Sequence, residues 1–206
     1  MVTNEEIVAS YADDAMRAIE SSCRIDEFEG IFGNPNAWLL QTPFDASNSG
    51  FEPGMIARIV KLGFSPGTEF TYVIDSVTSS GFVLKIAGHT TNVGRGPGSI
   101  FGTDTVKVKI LDMKPVLERA ENTVESRFGS YRSEDSGIME MKSEVIKRLA
   151  ILRASNDSEF LKKFMGNEEL SVDRYETGIL DRLGSDLLHR STRTQDGASN
   201  WPRVRR

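Results

Sequence analysis

The front of the chain places apolar side chains at helical spacing. The opening TNEE is typical of a capping box, in which Thr3 accepts a hydrogen bond from the backbone N–H of Glu6 and the Glu6 carboxylate reaches back to Thr3. Beyond it, apolar residues recur every three or four positions, at Val8, Tyr11 or Ala12, Ala15, Ile19 and Cys23. The pattern predicts one amphipathic helix over about residues 4–22.

The middle of the chain alternates apolar and polar side chains in the manner of β-strands. The segments EFTYVID and FVLKI, separated by the turn residues TSSG, predict a hairpin. A third segment, TVKVKIL, puts its valines and isoleucine on one face and Lys107 and Lys109 on the other. The run MIARIVKL fits either a helix or a strand, and its β-branched residues favour the strand. Such strands predict an antiparallel β-meander or small barrel over residues 55–112.

Two irregular stretches accompany these strands. Residues 24–54 carry the turn signals GIFGNPN, TPFDASNSG and FEPG, so we expect irregular chain there, except for a short strand or buried anchor at Ala37–Gln41 that contains Trp38. The second stretch, GHTTNVGRGPGSIFGTD, joins the last two strands. Hairpin loops usually have about two to five residues, so this loop is expected to be either functional or disordered, and a short Asn-Gly turn should be able to replace it without loss of the fold.

The remaining periodic sequence is helical. MKPVLERAENTVESRF begins with Pro115 in a first turn that tolerates proline, and it stops before Gly129. SGIMEMKSEVIKRLAILRAS predicts a second helix, Asn156 to Gly166 a short one, and about residues 168–188 a last one. The apolar stripes of the second and last helices are Ile138, Met141, Val145, Leu149 and Leu152, and Val172, Tyr175, Ile179, Leu183 and Leu187.

These elements predict an α+β fold. It has an N-terminal helix, a central antiparallel β-meander or small barrel with one long Gly-rich loop, a helical C-terminal half and a basic tail. The composition agrees with an ordered protein, since 38% of the 206 residues are hydrophobic and 27% are charged. Cys23 is the only cysteine, so an intramolecular disulfide is excluded. Neither a signal peptide nor a run of about 20 apolar residues is present, so we expect a cytoplasmic protein, or one in a particle assembled in the cytoplasm.

Charge is distributed unevenly over four segments. Residues 1–54, the acidic helix and irregular arm, carry 2 basic and 10 acidic side chains, and residues 55–112, the β-meander or barrel, carry 6 and 4. The helical region 113–188 carries 12 and 15, and the tail 189–206 carries 5 and 1. The net charges are therefore −8, +2, −3 and +4. An acidic front and a basic end are typical of a chain whose terminal segment interacts with a partner.

The tetrapeptide YADD at residues 11–14 matches the Y-x-D-D signature in which reverse transcriptases present two carboxylates to magnesium. In those polymerases the acidic pair lies on a β-hairpin and a further Asp is supplied from far upstream. Here the pair falls in a helical pattern, where Asp13 and Asp14 point about 100° apart. We therefore expect both to be solvated surface charges.

Other residues suited to catalysis are few. His89 and His189 are the only histidines, and no nucleophile signature accompanies them, which makes a hydrolase that uses His89 a distant alternative. Cys23 closes an apolar stripe and is expected to be a buried hydrophobe. GRGPGSIFGT lacks both the Lys-Ser/Thr ending of a phosphate loop and the strand-to-helix turn of a dinucleotide site. No catalytic residue, metal or cofactor is predicted.

The candidate sites are surfaces for macromolecules. Trp and Arg often anchor interfaces, and the terminal WPRVRR contains one Trp and three Arg. With the Gly-rich loop, this predicts the partner-binding residues Trp201, Arg203, Arg205, Arg206, Arg95 and Phe101. We expect a non-enzymatic structural protein, a subunit of a multi-copy complex such as a virus particle, whose partners are copies of itself or other subunits and not a membrane.

The alternative is a nucleic-acid-binding regulator. It would track phosphates with the basic face of the meander, through Lys85, Lys107, Lys109 and Arg95.

Overall fold

A computed structural model describes residues 2–11, 13–34, 36–61, 69–89, 96–129, 136–166 and 171–197, with the backbone alone over 191–197. The helices are α1 Asn4–Ser10, α2 Asp13–Cys23, α3 Gly98–Phe101, α4 Lys114–Phe128, α5 Ser136–Ala154, α6 Ser158–Phe164 and α7 Val172–Gly197. The strands are β1 Arg24–Phe32, β2 Leu39–Gln41, β3 Ile56–Lys61, β4 Glu69–Thr78, β5 Gly81–Lys85 and β6 Thr105–Leu111. The predicted α+β fold is confirmed.

The six strands close into an antiparallel barrel in the order β1-β2-β5-β4-β3-β6. Val108 of β6 lies opposite Phe28 of β1 on one side and Ile59 of β3 on the other, so the predicted alternation of TVKVKIL is confirmed. The interior cluster includes Phe32, Leu40, Ile59, Ile74, Phe82, Leu84, Val106, Val108 and Ile110. Because side chains fill it, the barrel is a packed core.

β1 is the main departure from the sequence analysis. The prediction of irregular chain over residues 24–54 is wrong for Arg24–Phe32, which form this strand. In the pair with β6, Glu27 lies opposite Lys109 and Glu29 lies opposite Lys107. The glutamates that lower the β-propensity of this segment are therefore placed beside lysines of the neighbouring strand, and opposite charges in such positions stabilise a sheet.

The Gly-rich connection does not join neighbouring strands. β5 pairs with β2 and β4, whereas β6 pairs with β1 and β3. The connection therefore runs between opposite sides of the barrel, and the prediction that an Asn-Gly turn could replace it is wrong. Its described part contains α3, whose Phe101 stacks on Phe32 with ring centroids 5.6 Å apart. The loop thus completes the barrel core.

The N-terminal helix is divided into two. The predicted capping box is confirmed, because Thr3 accepts from the Glu6 N–H at 3.3 Å and donates its own N–H to the Glu6 carboxylate at 2.7 Å. α1 ends at Ser10 and α2 begins at Asp13, so the prediction of one continuous helix is wrong. Asp13 and Asp14 lie in the first turn of α2, where the helix dipole favours carboxylates.

The helices form a second core beside the barrel. It includes Ile7, Met16, Ile19, Leu117, Val124, Ile146, Leu149, Leu183 and Leu187. α2 contacts both β4 and α5, so it joins the barrel to the helical half. The last helix continues to Gly197, beyond its predicted end near residue 188. In the part of the chain that the structure describes, no helix has the length and apolar character needed to cross a membrane.

Candidate functional site

The lysines of the predicted basic face lie on the outside of the barrel, and each contacts a carboxylate. The pairs are Lys85–Glu5 and Lys109–Glu20, both with 2.7 Å between Nζ and a carboxylate oxygen, and Lys107–Glu27. The hydrogen bond from Lys107 holds the pKa of the Glu27 carboxyl below its usual range. All three carboxylates belong to residues 1–54, so the acidic front of the chain supplies counter-charge to the barrel.

Arg58 on β3 is the most deeply buried charge of the described residues. Its side chain has no exposed surface, and it donates hydrogen bonds to Glu20 of α2 and Glu69 of β4. Glu20 also contacts Lys109. A buried cation is tolerated when carboxylates surround it in this way. The cluster attaches α2 to the barrel, which is a structural role.

Among the predicted partner-binding residues, the structure describes Phe101 alone. Its side chain is fully buried and contacts the rings of Phe32 and Phe70. It packs inside the barrel, where it offers no surface to a partner. The remaining predicted residues, Trp201, Arg203, Arg205, Arg206 and Arg95, lie outside the described residues.

The other residues singled out in the sequence make structural contacts. Asp13 accepts a hydrogen bond from the Thr71 hydroxyl at 2.9 Å, and Asp14 lies 4.0 Å from Arg17. Cys23 is buried, as predicted, and burial raises the pKa of its thiol to about 11. Over the described ranges, no three His, Cys, Asp or Glu side chains are grouped so that they could hold a metal ion.

Two glycines of the long loop are explained by close packing. A Cβ at Gly96 would lie 2.2 Å from the carbonyl oxygen of Ala37, and a Cβ at Gly98 would lie 2.1 Å from that of Asn34. The Gly98 N–H donates to the Ala37 carbonyl at 3.3 Å. These glycines let the loop pack on the chain before β2, a role that differs from a phosphate cradle.

The helical half carries a surface groove between α5 and α7 that encloses about 500 Å³. Its apolar floor consists of Met141 and Val145 from α5 and Tyr175, Ile179 and Leu183 from α7. All five residues belong to the stripes that the sequence predicts as helix faces. The sequence therefore identified the residues of the floor, but it did not indicate that they border an open groove.

Two arginines line the α7 wall of this groove, and neither forms an ion pair with another described residue. Arg174 and Arg182 are exposed, and among the described residues neither has a carboxylate within 4.0 Å. Eight residues at a rise of about 1.5 Å put their Cα atoms about 12 Å apart along the helix. Arg174 lies in the first turn of α7, where the helix dipole disfavours a cation. Helix stability therefore does not explain its presence.

Gly178 lies in the interior of α7 on the groove side. A Cβ at this position would meet nothing within 4 Å, whereas a Cβ at Gly184 would lie 3.2 Å from the Phe128 ring. Glycine inside a helix is less stable than alanine by roughly 0.5–1 kcal/mol. Gly178 thus leaves the groove open at some loss of helix stability. A glycine within a helical stripe is the one sequence signal that could have indicated the groove.

A second exposed surface lies on the outside of β1. Ile25 is 51% exposed and Ile31 is 42% exposed. Glu29, which lies opposite Lys107, is also exposed. Ile25, Glu29 and Ile31 are named the β1 face. This face was not predicted because the strand that carries it was not predicted.

Comparison with known proteins gives no relative, since no family model, no curated protein and no solved structure matches this chain.

Proposed function

We propose that this protein is a non-enzymatic assembly subunit that docks on neighbouring copies to build a multi-copy complex in the cytoplasm, of which a virus particle is one example. The groove between α5 and α7 carries this proposal. There Arg174 and Arg182 border an apolar floor that includes Tyr175. Arginine and tyrosine beside an apolar centre are among the residue types that contribute most binding energy at protein interfaces.

The nucleic-acid alternative receives less support. Affinity for a polyanion depends on cations that replace counterions at phosphates. Lys85, Lys107 and Lys109 already contact carboxylates of their own chain, so each would have to exchange that contact for a phosphate. The apolar floor beside Arg174 and Arg182 favours a protein surface over a charged backbone.

Size-exclusion chromatography with light scattering, at concentrations rising from micromolar to near millimolar, tests the proposal. We expect a mass above the 22.8 kDa of one chain that increases with concentration. A chain that stays monomeric throughout would contradict the proposal.

A parallel titration of a fluorescent oligonucleotide at several salt concentrations tests the alternative. Phosphate contacts would make the logarithm of the affinity fall steeply and linearly with the logarithm of the salt concentration. A monomeric chain with that behaviour would replace the assembly proposal by the nucleic-acid alternative.

A further inference from the structure

We propose that an acidic cleft between α1, the start of β3 and the start of α4 binds the basic segment 198–206 of a neighbouring copy. This inference rests on the proposed assembly function and adds to it a contact separate from the groove between α5 and α7. The segment, ASNWPRVRR, lies outside the described residues, and it contains three arginines and no acidic side chain.

The cleft encloses about 290 Å³ and has an acidic rim. Its charged lining residues are five carboxylates and one cation, namely Glu5, Glu52, Asp112, Glu118, Glu121 and Lys114. Glu5 is paired with Lys85 of β5 at 2.7 Å. Together Lys85 and Lys114 leave an excess of three negative charges, which equals the number of arginines in the segment.

Two of the carboxylates have no cation in the described part of the chain. Glu52 and Glu118 are exposed, and neither lies within 4.0 Å of a basic side chain among the described residues. Over the same ranges, no three acidic side chains are grouped so that they could hold a metal ion. Carboxylates spread in this way suit separate guanidinium groups, each of which can pair with a carboxylate through two parallel hydrogen bonds.

The cleft also has apolar lining. Val2, Met55 and Leu117 line it and are buried, and Pro53 lines it and is exposed. An aromatic ring covers a large apolar area, and the methionine thioether makes favourable contacts with such rings. Trp201 is the one aromatic side chain of segment 198–206, so its ring would cover this lining while the arginines pair with the rim.

The helices α4 and α7 run parallel. Near the start of each, Arg153 of α5 contacts the Arg119 carbonyl of α4 and the Glu176 carboxylate of α7, both at 3.3 Å. A Cβ at Gly184 of α7 would lie 3.2 Å from the Phe128 ring at the end of α4. The cleft uses the first half of α4, whereas α7 continues for thirteen residues beyond Gly184. The end of α7 therefore points away from the cleft.

The segment cannot bring Trp201 into the cleft of its own chain. Thirteen residues of helix put Gly197 about 20 Å beyond Phe128, and about 10 Å of α4 separate Phe128 from Glu121, the nearest cleft residue on that helix. Trp201 is four residues past Gly197, and four extended residues span at most about 14 Å. A neighbouring copy must therefore supply the segment.

A contact between a cleft and a segment is heterologous, because the two surfaces differ. In a pair of copies one cleft and one segment remain free, so association continues until a ring closes or a filament forms. This is a route to the multi-copy complex that the proposed function requires.

A fluorescent synthetic peptide with the sequence of residues 198–206 tests the contact directly, with fluorescence polarisation as the measure of its affinity for the full chain. We expect Trp201→Ala in the peptide to weaken binding at least about tenfold at every salt concentration. Arg205→Gln/Arg206→Gln should weaken it about fivefold at low salt and less as salt is raised. Equal binding of a peptide with the same residues in shuffled order would contradict the proposal.

Two variants of the full chain locate the peptide. Glu52→Gln/Glu118→Gln removes the two cleft carboxylates that have no cation, and Glu140→Gln/Glu144→Gln, its matched control, removes two exposed carboxylates from the groove between α5 and α7. We expect the first variant to bind the peptide about fivefold less tightly or worse, and the control to bind it like the wild type. Circular dichroism checks folding. The reverse result would place the peptide in the groove and overturn the proposal.

Self-association of the full chain tests the role of the contact in assembly. We expect Trp201→Ala to weaken association at least about tenfold, as measured by light scattering over a concentration series. If the wild type associates and neither Trp201→Ala nor Glu52→Gln/Glu118→Gln changes its association, the proposed function stands and this contact is wrong. A monomeric wild type contradicts the proposed function itself, whereas the peptide titration still decides whether the cleft binds the segment.

Discussion

The barrel and the helical half differ in how their cations are compensated. On the barrel, Arg58, Lys85, Lys107 and Lys109 all contact carboxylates of the same chain. On α7, the groove residues Arg174 and Arg182 have no such contact among the described residues. The net charge of −8 over residues 1–54 is therefore in part an internal counter-charge of the barrel. Cations that are paired within the fold serve stability, and we propose that the groove arginines, which have no ion pair among the described residues, serve a partner.

Loss of the Phe101 ring should lower the stability of the barrel more than any of the substitutions described below. We expect Phe101→Ala to lower the free energy of unfolding by about 4 kcal/mol, because it removes a fully buried ring from a packed core. Ile100→Ala, on the same short helix but 45% exposed, should lower it by less than about 1 kcal/mol. Urea denaturation measures both values. Equal losses would show that α3 does not contribute its ring to the barrel core.

Substitution of Arg58 tests whether the cations that are paired within the chain stabilise the fold. Arg58→Ala leaves the largely buried carboxylates of Glu20 and Glu69 without their common partner, so we expect the free energy of unfolding to fall by about 3 kcal/mol. Arg119→Ala removes an exposed arginine that has no side-chain ion pair among the described residues, and its effect should stay within about 0.5 kcal/mol. Chemical denaturation measures the loss of unfolding free energy for each variant. Similar losses for both would contradict the structural role of Arg58.

Two glycines of α7 test whether the groove is open in solution. We expect Gly178→Ala to raise the free energy of unfolding by up to about 1 kcal/mol, because alanine favours a helix and its Cβ has open space. Gly184→Ala should give a smaller gain or a loss, because its Cβ would lie 3.2 Å from the Phe128 ring. Thermal and urea unfolding of the two variants measure the difference. A destabilising Gly178→Ala would mean that the groove is closed in solution.

Cys23 is the last residue of α2 before β1, where the helical half meets the barrel. A smaller effect on stability, dependent on pH, is expected there. Burial raises the pKa of its thiol from about 9 to about 11. The folded state therefore favours the neutral thiol, and this contribution to stability is complete below pH 9 and decreases as the pH rises towards 11. The difference in unfolding free energy between wild type and Cys23→Ala should follow that course. A difference that does not change across this interval would contradict the shift.

Local patterns predicted most of the elements. The alternation in EFTYVID, FVLKI and TVKVKIL gave β4, β5 and β6, and the helical stripes gave α4, α5 and α7. β1 escaped because Asp26, Glu27, Glu29 and Gly30 are poor strand formers, and only pairing with β6 makes their positions favourable. The closure of the barrel depends on contacts between distant strands, which periodicity does not record. For the same reason the sequence suggested that β5 and β6 were neighbours.

The candidate site was less predictable than the fold. The stripes of α5 and α7 include the floor of the groove, but a stripe does not show whether a neighbouring element covers it. The lysines predicted to form one basic face all lie outside the barrel, but Lys85 on β5 lies on the opposite side of it from Lys107 and Lys109 on β6. The ion pairs that neutralise these lysines were not predicted, since residues such as Lys85 and Glu5 are distant in sequence and meet only in the folded chain.

The proposed division between barrel lysines that are paired and groove arginines that have no ion pair among the described residues is tested most directly by measuring self-association for two sets of substitutions. Arg174→Gln/Arg182→Gln should leave the free energy of unfolding within about 0.5 kcal/mol of wild type and weaken self-association at least about tenfold, as measured by light scattering over a concentration series. Lys85→Gln/Lys107→Gln/Lys109→Gln should lower the unfolding free energy and leave the association constant unchanged. Loss of association in the lysine set, with full association in the arginine set, would contradict the account.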